Sequence, residues 1–165
     1  MESSDLFDKY LNKALHFLSY RARSEKEVRE KLVLKKAPAE IIERIIASLK
    51  EHKFLNDVEF ARQFIEQRLR FKPKSLRIIK MELKQKGVDQ EIIEQAFANL
   101  QNDEEGESPN NDLDSAKRLV ERKIDKYRDL PRQIVYQKLG AFLARRGFDW
   151  DTIKKSIDDA LTHEV

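Results

Sequence analysis

The chain has 165 residues, 38% of them charged and 40% hydrophobic, with a formal net charge of +3. That length fits one ordinary domain or a few small repeats and is too short for a large multidomain enzyme. Cysteine is absent, which excludes a disulfide framework, a thiolate zinc site and a cysteine nucleophile, and fits a reducing cytosol. Only four Gly and four Pro occur, and such scarcity of turn residues predicts helices joined by short links. No apolar run approaches the roughly 18–20 residues needed to span a bilayer. Residues 1–8 show neither the basic start nor the apolar core of an export signal, so a cytoplasmic location without membrane contact is expected.

Helical periodicity begins at Phe7, which with Leu11, Ala14, Leu15 and Leu18 forms one apolar stripe. Ser24 is read as an N-cap with Glu27 as its capping-box partner, opening a short helix whose apolar face is Val28 and Leu32. Pro38 fits the start of a third helix carrying Ile41, Ile42, Ile45, Ile46 and Leu49. Phe54 and Leu55 are expected to fill the joint to the next unit, while Asn56 and Asp57 turn and cap the following helix. That helix holds Phe60, Ala61, Phe64 and Ile65. Pro73 and Ser75 open the next, with Leu76, Ile79 and Leu83, and Gly87 ends it in a left-handed conformation. Asp89 can cap a helix with Ile92, Ile93, Ala96, Phe97 and Leu100.

These two triplets superimpose. Ser24, Val28 and Leu32 fall on Ser75, Ile79 and Leu83 at an offset of 51 residues. A third copy follows, in which Ala116, Leu119, Val120, Ile124 and Tyr127 share one helical face and Pro131 opens a helix with Val135, Leu139 and Leu143, offset by 60 from the second copy. Gly147 matches Gly87, and Ile153, Ile157 and Leu161 lie on a last helix, where Trp150 reads as a core anchor. The expected fold is all-α: three tandem three-helix repeats stacked into an elongated, curved solenoid-like molecule, because one such unit has too little core to stand alone. The repeats are placed at 1–53, 54–102 and 113–165. The acidic stretch from Gln101 to Ser115 holds six acids and no base, and 103–112 is read as a linker.

No phosphate-cradling glycine loop or dinucleotide fingerprint is present, and His16, His52 and His163 have no metal-ligand spacing. No catalytic residue, metal or cofactor is therefore expected. The informative signal is charge. Residues 68–86 hold eight bases against Glu82 alone, a local charge of +7. Arg77, Lys80 and Lys84 fall at i, i+3, i+7 on one helix face, Arg68, Arg70, Lys72 and Lys74 precede them in what reads as the connecting loop, and Lys86 follows. Such a stripe suits phosphates or an acidic protein surface better than mere solvation. Phe71, amid these cations, could stack on a base, although packing under the loop is the expected use. A fainter stripe, Arg118, Arg122 and Lys126, is flanked by Asp114, Glu121 and Asp125. Arg118 with Glu121, and Arg122 with Asp125, read as surface pairs.

Lys53-Phe54-Leu55-Asn56-Asp57, then Phe60, Phe64 and Arg68, then Pro73-x3-Arg77-Ile78-x3-Glu82-Leu83-x2-Lys86-Gly87-Val88, resemble the RecX family of bacterial regulatory proteins. The segment from Ala14 to Leu32 is similar to its opening unit, and Lys138 to Ile153, with Arg146-Gly147-Phe148, to its closing one. Two departures are visible: Lys72 stands before Pro73 where the family usually has Gly, and Lys36-Ala37 is set against Lys86-Gly87. The resemblance implies a non-enzymatic modulator of the RecA recombinase, tied to DNA recombination, repair and the SOS response. Such a protein binds the RecA filament on single-stranded DNA, lies in its groove and limits its activities. The cations named above would make that contact, and a monomer is expected. The rival expectation is a direct DNA-binding protein acting without RecA. A nuclease using surface carboxylates is a third and weaker one.

Overall fold

The computed structural model describes residues 2–102 and 111–163, so most of the expected linker, residues 103–110, lies outside the described residues. Among the described residues the chain forms nine α-helices and one 3-10 turn, with no strand. They are α1 (Ser3–Tyr20), α2 (Glu25–Leu34), α3 (Ala39–Glu51), α4 (Asp57–Phe71), α5 (Leu76–Gln85), α6 (Gln90–Asn102), α7 (Asp112–Lys123), the 3-10 turn Ile124–Tyr127, α8 (Arg132–Arg145) and α9 (Trp150–Thr162).

Local chemistry sets most boundaries. Ser24 makes the expected capping box: its hydroxyl accepts from Glu27 N, and the Glu27 carboxylate accepts from Ser24 N at 2.9 Å. Ser75 does the same for α5 by accepting from Ile78 N, and Asn111 and Asp149 cap α7 and α9 through their side chains. Helix α4 is capped by Asn56, whose Oδ1 accepts from Val58 N and Glu59 N. Asp57 is thus the first helical residue and not the cap. The apolar face expected to run from Ala116 to Tyr127 is not one α-helix, because α7 ends at Lys123 and the chain tightens into the 3-10 turn.

The described chain folds as two compact units. The first comprises residues 1–63 and 83–96, the second 64–82 and 97–165, and helices α4, α5 and α6 contribute to both. In the first unit α1, α2 and α3 pack on one another around Val28, Leu32, Ile45, Ile46 and Leu49. Tyr10 joins this core and donates a hydrogen bond to Lys36 O at 3.2 Å, so its polar end is satisfied as its ring is buried. Leu55 is buried as expected, but Phe54 is 60% exposed and fills nothing. In the second unit α7 and α8 pack on α9 around Val120, Leu139, Leu143 and Ile157. Trp150 is no core anchor. It is 60% exposed at the start of α9.

Both units contain the same joint. In the first, Glu25 N donates to Asp57 Oδ1 at 2.9 Å, Ser24 Oγ to Lys86 O at 2.6 Å, and Lys86 Nζ lies 2.8 Å from Glu27. In the second, Leu76 N donates to Asp112 Oδ1 at 2.8 Å and Ser75 N to Arg146 O at 3.0 Å. Each time the first amide of the middle helix of one triplet donates to an aspartate of the next, and the serine before it donates to a carbonyl of the next, through its hydroxyl at Ser24 and through its amide at Ser75. Burial pushes both Asp57 and Asp112 upward, against the hydrogen bonds they accept.

Glu27 behaves oppositely. Burial pushes its carboxyl up, but hydrogen bonds from Arg21, Lys86 and Ser24 N outweigh this and hold it at about 2, against an ordinary 4.5. A lowered carboxyl pKa adds stability that is present above about 4.5 and is lost as the pH falls toward 2. Glu27→Gln is therefore expected to be about 1–3 kcal/mol less stable than the parent chain at pH 7. The difference should shrink steadily in urea titrations from pH 5 down to pH 2.5. A gap independent of pH would show that the charge is not what stabilises this joint.

The turns after α2, α5 and α8 repeat as well. Gly87 and Gly147 have φ of +76° and +89°, and the third member of the set is Lys36, at +63°. The residue equivalent to Gly87 is therefore Lys36, in line with the 51-residue offset, and not Ala37, which the family resemblance set against it. A left-handed lysine costs about 1–2 kcal/mol, partly offset by the greater freedom glycine has when unfolded. Lys36→Gly is expected to raise stability by about 0.5–1 kcal/mol, read as a higher urea midpoint at unchanged slope.

Candidate functional site

The basic segment is displayed mainly by the second unit. Arg68 and Arg70 are not in a loop: α4 continues to Phe71, and only Lys72 and Lys74 lie in the connection. Glu82 of α5 reaches back to this connection. Its Oε2 accepts from Arg68 Nε at 2.7 Å, and its Oε1 from Lys74 Nζ. Burial raises the Glu82 carboxyl, but the two cations lower it further, below the ordinary carboxylate range. One acid thus neutralises a cation before the connection and a cation within it.

The remaining cations sort by their surroundings. Arg70 is exposed at the end of α4 with its guanidinium 5.5 Å from the Phe71 ring centroid, and Lys72 is exposed beside it. Arg77 is exposed on α5, donates to Met81 Sδ at 3.7 Å, and its charge offsets a small part of the upward push of burial on the Asp112 carboxyl. Lys80 is half-buried, with its ammonium 5.0 Å from the Phe97 centroid. Arg118 is half-buried on α7 and engaged by a neighbour. Arg122 and Lys126 are exposed on α7 and the 3-10 turn. Asp125 pairs with Arg128 at 2.7 Å and not with Arg122. In the first unit Lys84 is exposed, while Lys86 is held by Glu27.

Arg68, Lys74 and Lys86 are therefore already matched by carboxylates, whereas Arg70, Lys72, Lys84, Arg122 and Lys126 form no ion pair among the described residues. Sequence reasoning missed Glu82 and Glu27 as the groups that make this selection. A lone acid inside a segment of charge +7 was the available signal. It also expected Phe71 to pack under the connection, where the structure leaves the ring 67% exposed. Met81, also exposed, lies beside Arg77.

The first unit also has a groove of about 640 Å³, lined in part by Glu25, Arg29, Lys50, Asp57 and Asp89. Its charges serve each other: Glu25 accepts from Arg29 at 3.0 Å and from Lys50 at 2.6 Å. Among the described residues no group of three His, Asp or Glu could hold a metal ion, and no helix is long and apolar enough to cross a membrane.

Comparison with known proteins agrees with this architecture. Residues 11–49, 56–96 and 110–157 match in turn the first, second and third three-helix domains of RecX. The chain is 34% identical over 157 residues to the regulatory protein RecX of Prosthecochloris aestuarii, covering 94% of this chain and 95% of the relative. It is 32% identical over 160 residues to that of Bacillus pumilus, of which it spans only 58%. Among solved structures, RecX from Lactobacillus salivarius is similar, with a TM-score of 0.72 at 26% identity over 94% of this chain and 97% of that one. A second RecX structure gives 0.70 at 25% identity, over 94% and 73%. The three helical triplets read from the sequence are the three-helix domains matched here, and the chain belongs to the RecX family of regulatory proteins.

Proposed function

We propose that the chain binds the RecA filament assembled on single-stranded DNA and restrains RecA activity, acting in the cytosol as a monomer and not as an enzyme. The observation that carries this reading is family membership along nearly the whole chain, through three successive domains. The similar proteins bear the name regulatory protein, and the Bacillus pumilus relative is the longer chain, so its activity comes to this one as part of the proposal. The exposed cations support it, since phosphate and acidic protein surfaces are both attracted to unpaired lysine and arginine. Arg70, Lys72, Arg77 and Lys84 would make the main contact, with further contributions from Lys80, Arg118, Arg122 and Lys126. Arg68, Lys74 and Lys86 would act indirectly, through their carboxylates.

The test is RecA ATP hydrolysis on single-stranded DNA with increasing amounts of the purified chain. Falling turnover at amounts well below one chain per RecA protomer is the expected result, and unchanged turnover at excess would end the proposal. The second reading, direct DNA binding without RecA, draws on the same cations. Titrating labelled single-stranded DNA with and without RecA separates them: strong, steeply salt-dependent binding that RecA does not enhance would favour the second.

A further inference from the structure

We propose that Phe71 is a stacking platform for an unpaired base of single-stranded DNA, with Arg70 and Lys72 holding the adjacent phosphates. The ring is 67% exposed at the last position of α4, and among the described residues its one ring contact is the Arg70 guanidinium, 5.5 Å from its centroid. An exposed phenylalanine forgoes the burial that stabilises most of its kind, roughly 1.5–3 kcal/mol, so its display calls for a use.

The ring is not carried on a frayed end. Glu82 accepts from Arg68, three residues before Phe71, and from Lys74, three residues after it. Arg146 Nη1 donates to Pro73 O at 3.2 Å, and Ser75 N donates to Arg146 O at 3.0 Å. Pro73 itself is buried. Glu82 and Arg146 of the second unit thus hold the turn and leave Arg70-Phe71-Lys72 facing water. A platform ordered in advance loses little freedom when something binds.

The chemistry of the triplet selects the ligand. Cation, aromatic, cation matches phosphate, base, phosphate, and every base has a face that stacks on such a ring. An acidic protein surface would be met by the cations and leave the ring in water. A greasy protein partner would have to desolvate two charges that form no ion pair among the described residues. In a duplex the base faces are already stacked, so the match is to a single strand.

The inference rests on the functional reading above only in the choice of polymer. It is tested without RecA, so its failure would leave RecA regulation to the ATPase assay. The full chain is titrated at low salt into a fluorescently labelled oligothymidylate and into an abasic phosphodiester oligomer of equal length. The parent chain should prefer the oligothymidylate. Phe71→Ala and Phe71→Leu should each bind it roughly 10-fold more weakly while holding the abasic oligomer to within about 2-fold. The Arg70→Ala, Lys72→Ala double variant should weaken both. Because Phe71 supports no core, all variants should keep the parent circular dichroism. No preference by the parent chain, full binding by Phe71→Leu, or equal losses on both oligomers would overturn the proposal.

Discussion

Gly147→Ala is expected to destabilise the chain by about 3 kcal/mol. Two terms combine. At φ of +89° any side chain is strained, by about 1–2 kcal/mol. The new Cβ would also stand 2.2 Å from Ile78 Cγ1 and 2.6 Å from Ser75 Oγ. Neither atom can swing away. Ile78 is branched and fixed in α5, and Ser75 is buried with its hydroxyl accepting from Ile78 N. The backbone bond from Ser75 N to Arg146 O would have to lengthen, and overpacking of this kind costs about 1–3 kcal/mol. The reduced freedom of alanine in the unfolded chain returns less than about 1 kcal/mol. Urea unfolding followed by circular dichroism measures the loss. An unchanged midpoint would show that the joint around Arg146 and Gly147 yields freely, and that the close contact does not hold in solution.

The second large effect concerns function. Reversing Arg77, Lys80 and Lys84 to Glu changes the local charge by −6. It should weaken the proposed inhibition of RecA ATP hydrolysis and strand exchange by at least about 100-fold, since juxtaposed like charges cost several kcal/mol. Arg77 and Lys84 are exposed and bear no core, so the helical circular dichroism should be retained. Lys80 also sits over Phe97, which makes the double reversal of Arg77 and Lys84 the cleaner variant. It should lose most of the effect while keeping the parent unfolding midpoint. Full inhibition by the folded triple variant would remove this stripe from the mechanism.

The paired cations give a contrast within the same segment. Arg68, Lys74 and Lys86 are as basic in sequence as Arg77, yet each already serves a carboxylate: Glu82 for the first two and Glu27 for the third. The stability loss expected of Glu27→Gln at neutral pH and the charge-reversal test therefore address different roles of one cationic segment. The Glu27 variant reports on how the triplets are joined, the reversal on what the surface meets.

Helices, caps and repeats were legible because they depend on neighbours in the chain. The capping box at Ser24 needs only Glu27 three residues on, and the stripe of Ile41, Ile45 and Leu49 follows from 3.6 residues per turn. The recurrence of that pattern at offsets of 51 and 60 marks out three triplets in the order of residues alone. The fates of Phe54, Phe71 and Trp150 were not legible. An aromatic ring is buried or exposed according to what lies opposite it, and each of these was expected to pack where the structure leaves it open.

The same division runs through the charged groups. Composition and order alone established an all-helical, cysteine-free chain with a concentrated basic segment, since periodicity and net charge are sums over adjacent residues. Which cations remain unpaired was decided by folding: Glu82 lies 14 residues from Arg68, and Glu27 lies 59 from Lys86. Likewise, the aspartates that receive Glu25 N and Leu76 N are 32 and 36 residues away. Coulombic and hydrogen-bonding forces act over a few ångströms, and only the tertiary structure brings such distant residues within that range.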